Sequence, residues 1–107
     1  MMQTHPPAPE GASAAATDTI RRALLDGPPP PYDELVALEQ TLLLIIADLY
    51  ATVAEHPLDP REQSSMTAIR HQTTVGLGAG LVSAHQQVRA LARNCQWLLE
   101  RTQGART

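Results

Sequence analysis

Between Asp33 and His56 the apolar residues Leu35, Leu38, Leu42, Ile45, Ile46, Leu49 and Val53 recur at i, i+3, i+4 and i+7 spacing. That is the period of an amphipathic helix and not of a strand. At 1.5 Å per residue such a helix is roughly 36 Å long, so the rest of a 107-residue chain has to pack along it. Asp33 and Glu34 stand in its first turn, where the helix dipole favours acids. Plotted at about 100° per residue, the apolar set falls within about 100° of arc, but Leu43 and Leu44 lie outside it. The turn Leu42-Leu43-Leu44-Ile45-Ile46 is therefore apolar almost all round. It is expected either to lie centrally in a bundle or to meet another chain.

Composition agrees with a helical core. Aromatic residues are 3% of the chain, with no phenylalanine, which leaves Leu, Ile, Val, Ala and Met to fill the interior. Apolar residues make up 43% and charged residues 18%, a globular balance for one domain. No uninterrupted apolar run approaches the ~20 residues of a membrane span, so a soluble protein with no membrane partner is expected. The net charge of −3 has the wrong sign for a protein that binds by neutralising phosphates, and no nucleic-acid partner is expected. All eight basic residues are arginine, which together with heavy use of Ala, Leu and Pro suits a GC-rich bacterial genome. The charge is uneven: residues 1–56 hold eight acids and two arginines, residues 57–107 three acids and six arginines. Attraction between the halves predicts pairing within the chain, or antiparallel self-association. The lone Cys95 excludes an internal disulfide and, with no basic and apolar leader at the start, points to the cytoplasm.

Residues 1–16 are rich in Pro, Ala, Gly and Ser and offer nothing large to bury, which predicts a disordered tail ahead of a single domain over 17–103. Thr17 or Asp18 can cap a short helix bearing Ile20, Leu24 and Leu25, stopped by Gly27 and the stiff run Pro28–Pro31. His56-Pro57-Leu58-Asp59-Pro60 reads as a stop followed by a start, with Asp59 as cap and Pro60 in the first helical position. Over 60–75 only Met66, Ile69 and Thr73 form a thin stripe, the weakest helix of the chain. Gly76-Leu77-Gly78-Ala79-Gly80 then predicts a break. The apolar phase nevertheless runs on from Met66 to Cys95 without a slip, so one long kinked helix stays open as an alternative. The last helix, about 81–102, presents Leu81, Ala84, Val88, Leu91, Ala92, Cys95, Leu98 and Leu99 on one face, with Ser83 and Gln86 spaced as a capping box should it start late. The expected fold is all-α: a small bundle of three main helices with a short N-terminal helix across it.

Chemical signatures are sparse. The glycine run lacks the lysine of a Walker A loop and the spacing of a dinucleotide fingerprint, so it reads as a hinge. His56, His71, His85 and Cys95 share none of the metal-site spacings, so no metal, no cofactor and no catalytic residue are assigned. Cys95 sits centrally on the apolar face, as a core thiol does. Trp97 points about 160° from the centre of that face on a helical wheel, with Arg93 and Arg101 one turn to either side for cation–π stacking. It needs cover, either from the N-terminal helix and the Pro28–Pro31 and Tyr32 segment or from a partner, since Trp and Arg anchor interfaces.

Pro31-Tyr32-Asp33-Glu34-Leu35, together with Gly78-Ala79-Gly80-Leu81 through Val88, Leu91-Ala92-Arg93, Cys95 and Leu98-Leu99, resembles a family of small actinobacterial proteins of unknown function labelled as natural product biosynthesis proteins. The resemblance covers about residues 17–102 and implies a genomic context without a mechanism. The leading expectation is a non-enzymatic accessory protein of secondary metabolism, with a protein partner or a second copy bound through Leu43, Leu44, Arg93, Trp97 and Arg101. An alternative is a small helical enzyme or ligand carrier with His71, His85 and Arg89 as polar pocket contacts. A third is a transcriptional regulator reading DNA with Arg89, Arg93 and Arg101.

Overall fold

The computed structural model describes the backbone of residues 8–105 and the side chains of residues 14–103. It is all-helical over these residues: α1 Ala8–Ala23, α2 Tyr32–Ala54, α3 Pro60–Gln72 and α4 Leu81–Ala105. The long pair α2 and α4 forms the main seam, α1 packs on both, and α3 packs on α4. The core is one continuous cluster drawn from all four helices, including Ile20, Leu35, Leu42, Met66, Ile69, Leu91 and Leu98. The described chain measures 48 × 41 × 21 Å with a radius of gyration of 15.0 Å, above the ~13 Å of a compact domain this long. At about 10 Å per helix, the short dimension holds only two helices.

Most element boundaries follow the sequence. Pro31 sets extended backbone at φ −56°, ψ 151°, and α2 begins directly after it with Asp33 and Glu34 in the first turn. Asp59 caps α3 as expected: its carboxylate accepts from the Glu62 backbone N–H at 2.7 Å, and the Glu62 side chain accepts from the Asp59 N–H at 3.0 Å. Pro60 follows in the first helical turn. Asp59→Ala should lower stability by about 1 kcal/mol, readable as a lower urea midpoint, with the loss concentrated in amide protection of α3. An unchanged protection pattern would show that tertiary packing alone holds that helix.

The glycine run breaks the chain and does not merely kink it. Gly76 and Gly78 take positive φ of 78° and 72°, values that L side chains rarely adopt, and α4 starts only at Leu81. Tyr32 donates its hydroxyl to the Gly78 carbonyl, so the start of α2 holds this loop. Gln87, buried on α4, donates to the Gln72 carbonyl at 3.0 Å and accepts from the Gln72 amide, tying the end of α3 to α4.

Several expectations require correction. The predicted tail spans residues 1–16; its first seven lie outside the described residues, and from Ala8 onward the chain is helical. The Ala-rich stretch is a good helix former, and Ala16 gains a buried place against the bundle. Thr17 and Asp18 consequently lie inside α1 and do not cap it, and at 16 residues α1 is longer than the 13-residue α3. Leu81 is 42% exposed and not part of the core, because it stands at the first position of α4. Ser83 bonds the Gly80 carbonyl at 3.2 Å and forms no capping box with Gln86. α2 is also, by length and composition, apolar enough to cross a membrane: its apolar stretch is interrupted by Glu39, Gln40, Thr41 and Asp48, so no uninterrupted run reveals it.

Candidate functional site

One face of α2 is covered and the others are not. Leu35, Leu38, Leu42, Ile46 and Val53 are buried. Ile45 and Leu49, assigned to the same stripe, are half-buried at its edge. Only 22% of the most apolar 18-residue window is buried. Leu44 is 74% exposed, and Ala37, Ala47 and Ala51 around it are exposed as well. The turn predicted to be apolar all round therefore meets solvent, and of its two off-stripe leucines Leu43 packs against the core edge while Leu44 does not. Asp33, Glu34, Asp48 and Glu55 are exposed, and α2 carries no basic residue. None of its acids forms an ion pair among the described residues, where the pairs are Arg21–Asp18, Arg89–Asp26 and Arg101–Glu62. The acidic and basic halves do pack together along α2 and α4, but through apolar side chains.

Trp97 is covered from an unexpected side. Its ring is half-buried against the core, and Arg101 stacks over it with the guanidinium carbon 4.6 Å from the ring centroid. Trp97 and Arg101 border a small cavity with Asp59, Arg61, Glu62 and Ser65, and Arg101 pairs with Glu62 at 3.3 Å. The cover seen directly is Arg101 of α4 itself, and the cavity beside the ring is lined by the start of α3 and not by α1 or the proline run. Arg93 is exposed and enters no ion pair or aromatic stack among the described residues. The Arg101–Glu62 pair thus ties the start of α3 to α4 beside the Trp97 ring.

Of the alternative pocket set, His85 and Arg89 both meet the Leu25–Asp26 loop and His71 lies apart from them. Arg89 reaches across to the loop after α1, donating to the Leu25 carbonyl at 3.1 Å beside Asp26 at 4.0 Å. Asp26 is fully exposed, so the carbonyl bond carries most of that contact. His85 is half-buried in a 210 Å³ hollow among Arg22, Leu25, Pro28, Pro30 and Glu34, while His71 is exposed on α3. Among the described residues no group of three His, Cys, Asp or Glu could hold a metal ion.

A larger groove runs between α2 and α3, of about 570 Å³, lined by Leu43, Ile46, Ala47, Tyr50, Ala51, Arg70 and Thr73. The sequence reading missed it, although the 43, 46, 47, 50, 51 spacing is a second helical stripe beside the first.

Cys95 is buried at the α2–α4 seam, its thiol 3.6 Å from the Leu42 carbonyl. Burial pushes the thiol up from its ordinary 9.0 to about 12, which makes it inert as a nucleophile at neutral pH.

No curated protein and no solved structure matches the chain. Residues 14–107 match the family model described as Family of unknown function (DUF6415), and the chain belongs to that family.

Proposed function

We propose that this chain is a non-enzymatic accessory protein that acts by binding another protein, or a second copy of itself, through the outward face of α2. The observation that carries the reading is the exposed apolar surface around Leu44 on a helix whose opposite face already fills the core. An apolar face that the monomer leaves uncovered marks an interaction site. The flat, two-helix thickness supports the same reading, since a thicker bundle would have enclosed α2. A role in natural product biosynthesis in the cytoplasm of an actinobacterium rests on the sequence resemblance and on the all-arginine, GC-rich composition. Membrane insertion of α2 is the less favoured reading, because its buried stripe is already committed to α1 and α4.

Leu44→Glu tests the proposal. At an exposed position the substitution should change monomer stability by no more than about 0.5 kcal/mol, yet a charge at the centre of the face should abolish association. The wild-type mass by light scattering over a concentration series comes first. A dimer that Leu44→Glu turns into a monomer identifies a second copy as the occupant. A monomer sends the comparison to copurification from the native host, where the variant should lose the specific partner. If wild type and variant show the same mass and the same host partners, the α2 face is not the binding surface.

A further inference from the structure

The groove between α2 and α3 differs from the rest of α2 in its charge. Its lining is mostly apolar, Leu43, Ile46, Ala47 and Ala51, joined by Tyr50. The sole charged residue along it is Arg70, and no acid lines it, although α2 itself carries only acids. Arg70 is exposed and forms no ion pair among the described residues. It stands in the last turn of α3, where its charge offsets the helix dipole. That dipole amounts to about half an elementary charge, so the guanidinium leaves a net positive site. Tyr50 donates no hydrogen bond among the described residues, and Thr73 spends its proton on the Arg70 carbonyl at 2.6 Å, keeping its oxygen lone pairs free. An apolar trough with one unpartnered cation and a few hydroxyls is matched by a ligand with an apolar body and one anionic end.

Size decides between a small molecule and a protein segment. From Leu43 to Ala51 the groove follows α2 for roughly 12 Å at 1.5 Å per residue. A docked helix, itself about 10–12 Å across with its side chains, would find barely two turns of contact there. The volume of about 570 Å³ instead falls within the ~300–1,000 Å³ of small-molecule sites. We propose that the α2–α3 groove binds a small amphipathic monocarboxylate of medium-chain fatty-acid type, its apolar chain lying on Leu43, Ile46, Ala47 and Ala51 and its carboxylate on the Arg70 guanidinium. The site shares Ala47 and Ala51 with the Leu44 face, and its ligand is read on the chain alone, whether or not that face has a protein partner.

The test is calorimetric titration of the full chain with octanoate, against octanol, octylammonium and acetate as probes of chain and charge separately. Octanoate should bind with one-to-one saturation, at least about tenfold tighter than octanol, as a charge-assisted pair at a partly apolar site requires. Octylammonium should bind more weakly than octanol, and acetate, which lacks the chain, should not register. Arg70→Gln, at an exposed position, should reduce octanoate affinity to the octanol level and leave octanol unchanged. Ala47→Trp, which fills the trough from another exposed position, should abolish binding of both while the circular dichroism stays helical. The proposal is overturned if octanol or octylammonium binds as tightly as octanoate, if Arg70→Gln leaves octanoate affinity intact, or if the wild-type protein does not bind octanoate.

Discussion

Replacing Leu91 with alanine should cost about 3–5 kcal/mol, the range for a leucine removed from a core that cannot close around the cavity. Leu91 has no solvent exposure and sits near the middle of α4, the helix on which α1, α2 and α3 all pack. A domain of this size is stable by about 5–15 kcal/mol in total, so the variant should lie close to unfolding at 37 °C. At roughly 4–8 °C per kcal/mol, the melting temperature should fall by about 12 °C or more. The informative comparison is Leu44→Ala, the same chemical change at a side chain 74% exposed on α2, which should cost less than about 0.5 kcal/mol in the monomer. Equal losses at the two positions, measured by urea titration below any association threshold, would mean that α2 does not present Leu44 outward. The pair therefore tests the rotation of α2 about its own axis, on which the partner reading depends.

That rotation is legible in the sequence, whereas features that depend on the docking of α3 are not. The buried sets Leu35, Leu38, Leu42, Ile46, Val53 and Ala84, Val88, Leu91, Cys95, Leu98 follow the 3.6-residue period directly, because each helix buries one stripe and large aliphatic residues have nowhere else to go. Asp59 and Pro60 were legible for a different reason: capping is local, involving residues three positions apart. Leu44 was legible as an anomaly whose outcome the sequence left open. Trp97 reads as a side chain in need of cover, and the i, i+4 spacing to Arg101 supplies the stack, while the α3 residues beside it depend on where α3 docks. α3 carries only Met66 and Ile69 as buried anchors, too few for a pattern to fix its position. Gln87 was passed over because a polar residue on an apolar helix reads as surface until its partner, the end of α3, is in place. The α2–α3 groove was hidden for the same reason, since it exists only once α3 leans on α4 and leaves α2 partly bare. Arg89 reads as a pocket contact by residue type, but its partner is the Leu25 carbonyl, 64 residues away in the chain. Such backbone acceptors carry no sequence signature.

At alkaline pH the α2–α4 seam should weaken through Cys95. The thiol is buried and held at about 12, against 9.0 when exposed in the unfolded chain. Below pH 9 both states keep the proton and the seam has its full stability. Above pH 9 the unfolded chain ionises while the folded one cannot, so stability falls as pH rises, by up to about 1.4 kcal/mol per unit, until the folded thiol itself ionises near 12. By pH 11 the loss should be on the order of 3 kcal/mol, comparable to removing a core leucine. Tyr32, Tyr50 and the arginines remain when Cys95 is replaced, so the thiol's share is the difference in slope between wild type and Cys95→Ala. The variant starts lower at pH 7, having lost a packed sulfur beside Leu42, and should then decline more shallowly, the two urea-midpoint curves converging between pH 9 and 11. Parallel curves would show that the thiol reaches water in the native state, and the seam on which the outward face of α2 rests would then be looser than its packing implies. Iodoacetamide gives an independent reading: at pH 8 the native protein should resist alkylation, and the rate should rise to that of a free thiol only in urea.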